Sequence, residues 1–168
     1  MKVYFGTDHA GFEMKNGLLD FVRELPPHEE EGPYEVEDMG AYEFDEDDDY
    51  PEFVACVARA VSGDPFARGV VLGASGQGEA MVANRFRGVR AAVYYGERGQ
   101  KQKDANGKEI DMISSTRMHN DANVLSLGAR FISVDEAKEA VRAWLSTSFS
   151  GDERHARRIK QIENVVHE

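Results

Sequence analysis

The chain has 168 residues, 41% hydrophobic and 30% charged, which suits one domain with a packed core and is too short for two catalytic domains. Its net charge of −11 argues against a nucleic-acid or anionic-membrane surface, because the long-range field repels phosphates; any phosphate ligand has to be held by a local cluster of Arg or Lys. No apolar run approaches the ~20 residues that cross a bilayer, and the opening MKVYFGTDHAG lacks the basic flank and long apolar stretch of a secretion signal, so a cytoplasmic location is expected.

In chain order, residues 2–6 read as a short buried strand, followed by Asp8 and His9 and then a helix. In that helix Met14, Leu18, Phe21, Val22 and Leu25 recur at helical spacing, and Pro26 and Pro27 end it. A strand is expected at 34–38, a helix at 50–62, a continuous apolar strand at 69–72 (GVVL) and a helix from near Gly78. Further strands are expected at 91–95 (AAVYY) and 123–127 (NVLSL). Ser133 and Glu136 form a capping-box pattern ahead of a helix whose face carries Ala137, Ala140, Val141, Trp144 and Leu145. A last helix is expected near 152–166. The alternation predicts an α/β fold: a doubly wound, Rossmann-like parallel sheet of five strands, with helices on both faces and a C-terminal tail helix. Ligands in such sheets sit at the carboxyl ends of strands.

Two stretches fall outside this rhythm. Residues 28–49 are rich in acid, and Asp45, Glu46, Asp47, Asp48 and Asp49 read as a solvated loop, with divalent-cation binding as the alternative. Residues 96–111 read as a long, exposed polar excursion. The single cysteine, Cys56, lies in VACVARA and is expected as a buried thiol on the apolar face of a helix. No internal repeat is present.

The stretch most informative about chemistry is GASGQGE, from Gly73 to Glu79, between a buried strand and a helix. Its glycines with Ala74 and Ser75 let backbone N–H groups approach a ligand closely, at a helix start that favours negative charge. No Lys-Ser or Lys-Thr follows, so it is not a P-loop; Met81 stands where a dinucleotide fingerprint needs its third small residue. Glu79 is either a favourable partner of the helix dipole or a general base beside the pocket. Asp8 with His9, and His119 with Asn120, flank strands and are expected to converge on one edge of the sheet. Their spacing is not that of a metal motif, and no catalytic metal is expected. The basic island GDERHARRIK at 151–160 places Arg154 and Arg158 on one helix face, suited to a phosphate, with Arg130 as a third candidate. The alternatives for this segment are a solvated helix with Glu153 and Glu163 as partners, or a contact with a neighbouring subunit.

Taken together, GTDHAGFEMK at the start, DYPEF at 49–53, GASGQGEAMVANRFRGVRA at 73–91, RMHNDANVLSLGAR at 117–130 and the tail with Arg154 and Arg158 resemble the type B ribose-5-phosphate isomerases, a family that includes galactose-6-phosphate and allose-6-phosphate isomerases. The resemblance implies that Asp8 and His9 contact the sugar and that Ala74, Ser75, Gly76, Gln77 and Gly78 hold it and stabilise an enediolate. It implies Glu79 as the base at C2, His119 as the proton donor that opens the furanose ring with Asn120 beside it, and Arg130, Arg154 and Arg158 as the phosphate clamp. It implies a homodimer or homotetramer with sites shared between subunits, and no cofactor. One branch of the family uses a cysteine at the position of Gly73; this chain has the glutamate of the other branch instead. The acidic region before Tyr50 and the 96–111 excursion are longer than in those relatives. The rivals are a hexose 6-phosphate substrate and a sugar-phosphate-binding protein without turnover, the latter disfavoured because binding needs neither a base nor a ring-opening donor.

Overall fold

The computed structural model describes residues 1–29, 32–97, 102, 103, 107 and 109–165. Five parallel strands, β1 (Lys2–Thr7), β2 (Glu35–Asp38), β3 (Arg68–Gly73), β4 (Ala91–Tyr94) and β7 (Val124–Gly128), form one sheet in the order β2-β1-β3-β7-β4. Helix α1 (Phe12–Arg23) carries the chain from β1 to β2, and α2 (Tyr50–Gly63) returns it to the other side of β1. The order therefore reverses between β1 and β3, and a crevice opens beyond their carboxyl ends.

Alternation along the strands divides the core into two layers, since successive side chains point to opposite faces. Val3, Phe5, Val70, Leu72, Leu125 and Leu127 meet α1 and α5 (Val134–Ser146), where Leu18 and Trp144 are fully buried. Tyr4, Val71 and Val124 meet α2 and α3 (Gln77–Ala83) through Val54, Val57, Val61 and Ala83. The capping box of Ser133 and Glu136 starts α5 as its sequence predicts. The expected strands and helices occur with bounds shifted by one or two residues.

Three expectations change. The polar excursion, where described, contains an antiparallel pair of short strands, β5 (Gln102–Lys103) and β6 (Glu109–Ile110), and Asp111 caps a further helix, α4 (Met112–Asn120); residues 98–101, 104–106 and 108 lie outside the described residues. The sequence MISSTRMHN has too few apolar residues to advertise α4, which buries Ile113, Thr116 and Arg117 instead. Arg117 holds it in place, donating to the carbonyls of Ala122 and Thr147 and to Asp121. Cys56 is exposed, because the buried stripe of α2 runs through Val54, Val57, Ala58 and Val61 and leaves position 56 on the opposite side. In the acidic run, Asp45, Glu46, Asp47 and Asp49 are exposed as expected, whereas Asp48 turns inward.

Candidate active site

The carboxyl edge of β1 and β3 gathers most of the expected residues. Beyond β1, Asp8 is buried and its carboxylate accepts from the N–H of Ala10, starting a short turn at His9–Gly11. The His9 backbone N–H and ring Nδ1 both lie on Asp48 Oδ1, at 2.9 and 2.8 Å. This bond, made across 39 residues, pushes the His9 pKa up, with Asp8 adding to the effect. Asp48 is thus a site residue the sequence reading missed. Asp8, His9 and Asp48 are spaced closely enough to hold a metal ion. Asp48 Oδ1 already receives two N–H groups from His9, however, so the arrangement fits a histidinium–carboxylate pair.

Beyond β3 the chain turns through Gly76, whose φ of +74° is the left-handed region that glycine occupies freely. Ser126 donates to the Gly76 carbonyl, and the N–H groups of Ala129 and Arg130 donate to the carbonyls of Gly73 and Ala74, so the turn is tied to β7. Arg130 is exposed on this edge, near enough to His9 to act on its charge. Tyr50, at the start of α2, packs its hydroxyl against Gly78, where a Cβ would collide with it. Gln77 is exposed, and Ala74, Ser75 and Gly78 are half-buried.

Glu79, only 4% exposed, folds back so that its carboxylate lies over Gly73. Burial raises its pKa, and the neighbouring Asp8 adds to the rise. A Cβ built on Gly73 would overlap Glu79 Oε1 and Cδ. A side chain at 73 and a carboxylate from 79 thus compete for one space. Gly73→Ala is expected to fold with an unchanged melting temperature, because the flexible end of Glu79 gives way, and to lose activity by about 100-fold through a displaced carboxylate; parallel thermal and kinetic measurements check both parts.

His119 and Asn120 do not join this group within the chain. They precede β7, and Arg90, just ahead of β4, donates to the Asn120 carbonyl, which places them at the amino edge of the sheet. The length of a six-residue strand, on the order of 15 Å, separates them from Glu79. The expected convergence on one edge is corrected by a simple rule: in a parallel sheet, residues before a strand and residues after one emerge at opposite ends. At the amino edge His119 is half-buried, its Nδ1 3.3 Å from Ser115 Oγ and its ring stacked on His155 of α6 (Glu153–Val165). Glu163 anchors the same helix to Arg90 and to the N–H of Gly88. Arg154 and Arg158 are exposed along α6, and among the described residues Arg130 and Arg158 make no ion pair. One chain therefore carries two groups of candidate residues at opposite edges: a buried carboxylate with a glycine-rich turn, and a histidine with exposed arginines.

A family model described as Ribose/Galactose Isomerase matches residues 3–162. The ribose-5-phosphate isomerase B of Mycolicibacterium paratuberculosis is 36% identical over 159 residues, covering 95% of this chain and 87% of that protein. The Escherichia coli ribose-5-phosphate isomerase B is 34% identical over 164 residues, 98% of this chain and 95% of that one. Among solved structures, ribose-5-phosphate isomerase B of Clostridium thermocellum superposes with a TM-score of 0.80 at 35% identity over 98% of this chain and 97% of its own. The Mycoplasma genitalium protein of that name, solved with bound ribulose 5-phosphate, gives 0.81 at 29% identity over 98% and 95%. The match runs through both edges of the sheet, from the turn after β1 to the helix that carries Arg154 and Arg158, and the chain belongs to the ribose/galactose isomerase family.

Proposed function

We propose that this protein interconverts ribose 5-phosphate and ribulose 5-phosphate through an enediolate, with Glu79 moving the proton. The observation that carries the reading is the buried Glu79 carboxylate seated over Gly73, beside Asp8 and the glycine-rich turn. With the aldehyde form bound, Glu79 takes the proton from C2 while the electron pair of that bond forms the C1–C2 double bond and the carbonyl electrons move to O1. Backbone N–H groups of residues 74–78 face that developing charge. Return of the proton to C1, with transfer of the hydroxyl proton from O2 to O1, completes the ketose. The step moves protons only and needs no oxidant or reductant.

Ring opening precedes it and is assigned to His119. Because His119, Asn120, Arg154 and Arg158 lie at the edge opposite Glu79, the site is completed by a second copy of the chain, whose amino edge faces the carboxyl edge of the first. The arginines bind the phosphate, and His9, whose pKa the bond to Asp48 raises, contributes positive charge from the other side when protonated.

The test is turnover on a panel of pentose 5-phosphates and hexose 6-phosphates with a chelator present. Ribose 5-phosphate is expected to give the highest kcat/KM. Preference for a hexose 6-phosphate would reassign the substrate, and tight binding without turnover would overturn the catalytic reading. Arg154→Ala combined with Arg158→Ala is expected to raise KM for phosphorylated sugars at least about tenfold, the loss of one or more charge-assisted hydrogen bonds. An unaltered KM would move the clamp elsewhere.

A further inference from the structure

His155 lies in the middle of the basic island, yet it is the buried residue of α6, 5% exposed although Arg154 and Arg158 beside it are exposed. Its ring lies flat on that of His119, with centroids 4.5 Å apart and planes 13° from parallel. Two imidazolium ions cannot share such a stack at low cost, because like charges at this distance repel and both rings are partly withdrawn from water. The surroundings decide which ring stays neutral. Arg154 Nε donates to His155 Nε2 at 3.2 Å, so that nitrogen is an acceptor and the ring proton sits on Nδ1. The remaining charged groups facing His155 are Arg158, which also opposes protonation, and Asp152, which favours it from 3.8 Å through a mostly exposed carboxylate. Burial, then His119 and Arg154, together hold the His155 pKa below the ordinary histidine range. His119 meets Ser115 Oγ at Nδ1, which leaves Nε2 as the ring nitrogen available to a ligand.

We propose that His155 is a positioning residue for His119: a neutral, flat platform that orients the His119 ring and confines the exchangeable proton of the pair to it. This deepens the isomerase reading and rests on the assignment of ring opening to His119. The platform links recognition to chemistry, since Arg154, which holds His155 as an acceptor, belongs to the proposed phosphate clamp. Ring opening of ribose 5-phosphate needs a donor at the ring oxygen. Ribulose 5-phosphate does not: its phosphate occupies the oxygen that would close a five-membered ring, so it enters as an open chain and Glu79 can exchange its C1 proton with solvent unaided.

The experiment compares His155→Ala and His155→Phe with the unaltered protein, using two kinetic readouts and one spectroscopic one. His155→Ala is expected to lower kcat for ribose 5-phosphate by about 10- to 100-fold, the cost of a misaligned catalytic group, while solvent deuterium wash-in at C1 of ribulose 5-phosphate stays within about twofold. His155→Phe restores a neutral flat ring and should recover most of the lost kcat. In the unaltered protein, imidazole nitrogen NMR should show His155 neutral with its proton on Nδ1 at the pH of the kinetic measurements. Unchanged kcat in His155→Ala, or equal loss of turnover and wash-in, would overturn the proposal, as would a protonated His155 at the pH of those measurements. Absence of turnover in the unaltered protein would overturn the isomerase reading instead, and the charge and tautomer of His155 would then decide its role as a platform by themselves.

Discussion

Glu79→Gln is expected to reduce kcat by at least about 100-fold, the lower end of what a positioned general base contributes, with little change in KM or in thermal stability. The amide keeps the shape of the carboxylate and fits the same space over Gly73, so the loss isolates the ability to accept a proton. The pH dependence gives the same assignment a second handle. Burial, with Asp8 adding to it, raises the Glu79 pKa, and the base is active only when ionised. The acid limb of kcat/KM therefore lies above the ordinary glutamate range near about 4.3, and activity rises as pH passes through the raised value. An acid limb retained in Glu79→Gln, or turnover that the amide leaves intact, would remove Glu79 from the role.

Lys15→Ala is expected to destabilise the fold by about 3 kcal/mol, read as a lower urea midpoint at constant slope. Lys15 is fully buried, and its Nζ donates to both oxygens of Asp38, at 2.6 and 2.7 Å, and to the carbonyl of Ala41 at 2.6 Å. Removing the cation leaves the Asp38 carboxylate, itself only 24% exposed, without its counter-charge and the Ala41 carbonyl without its donor. The double replacement Lys15→Met with Asp38→Asn should recover most of the loss, since no uncompensated charge remains and the asparagine oxygen can still accept from the N–H of Gly40. The lysine also ties α1 to the start of the loop that later delivers Asp48 to His9. Lys15→Ala should consequently weaken sugar-phosphate binding as well as stability. A variant as stable as the parent would show that the pair contributes no net stabilisation.

These two residues differ in how visible they are before folding. Glu79 stands next to a glycine-rich turn, between an apolar strand and a helix, and local pattern makes it a candidate, although the same pattern also suits a partner of the helix dipole. Lys15 is one polar residue in an amphipathic helix, and nothing nearby in sequence marks it as buried. The same division separates Asp8 and the 73–79 turn from Asp48, which is hidden in a run of carboxylates that mostly face water. It also separates Ser133 with Glu136, whose cap is a three-residue affair, from α4, whose helix depends on Arg117 reaching the carbonyl of Thr147.

The sequence by itself determined the alternation of strands and helices, the covered parallel sheet, the glycine turn and the position of an acidic residue, Glu79, just beyond a strand's carboxyl end. Each of these follows from periodicity, caps and turn chemistry that act over a few residues. Only the tertiary structure decided that His119 and Glu79 stand at opposite edges of one sheet, that Asp48 turns inward while Cys56 turns out, and that His155 lies beneath His119. Those outcomes depend on strand order and on contacts between distant segments, which local spacing does not encode. Two edges of one chain, each holding candidate site residues, are the physical reason a second copy enters the proposed function.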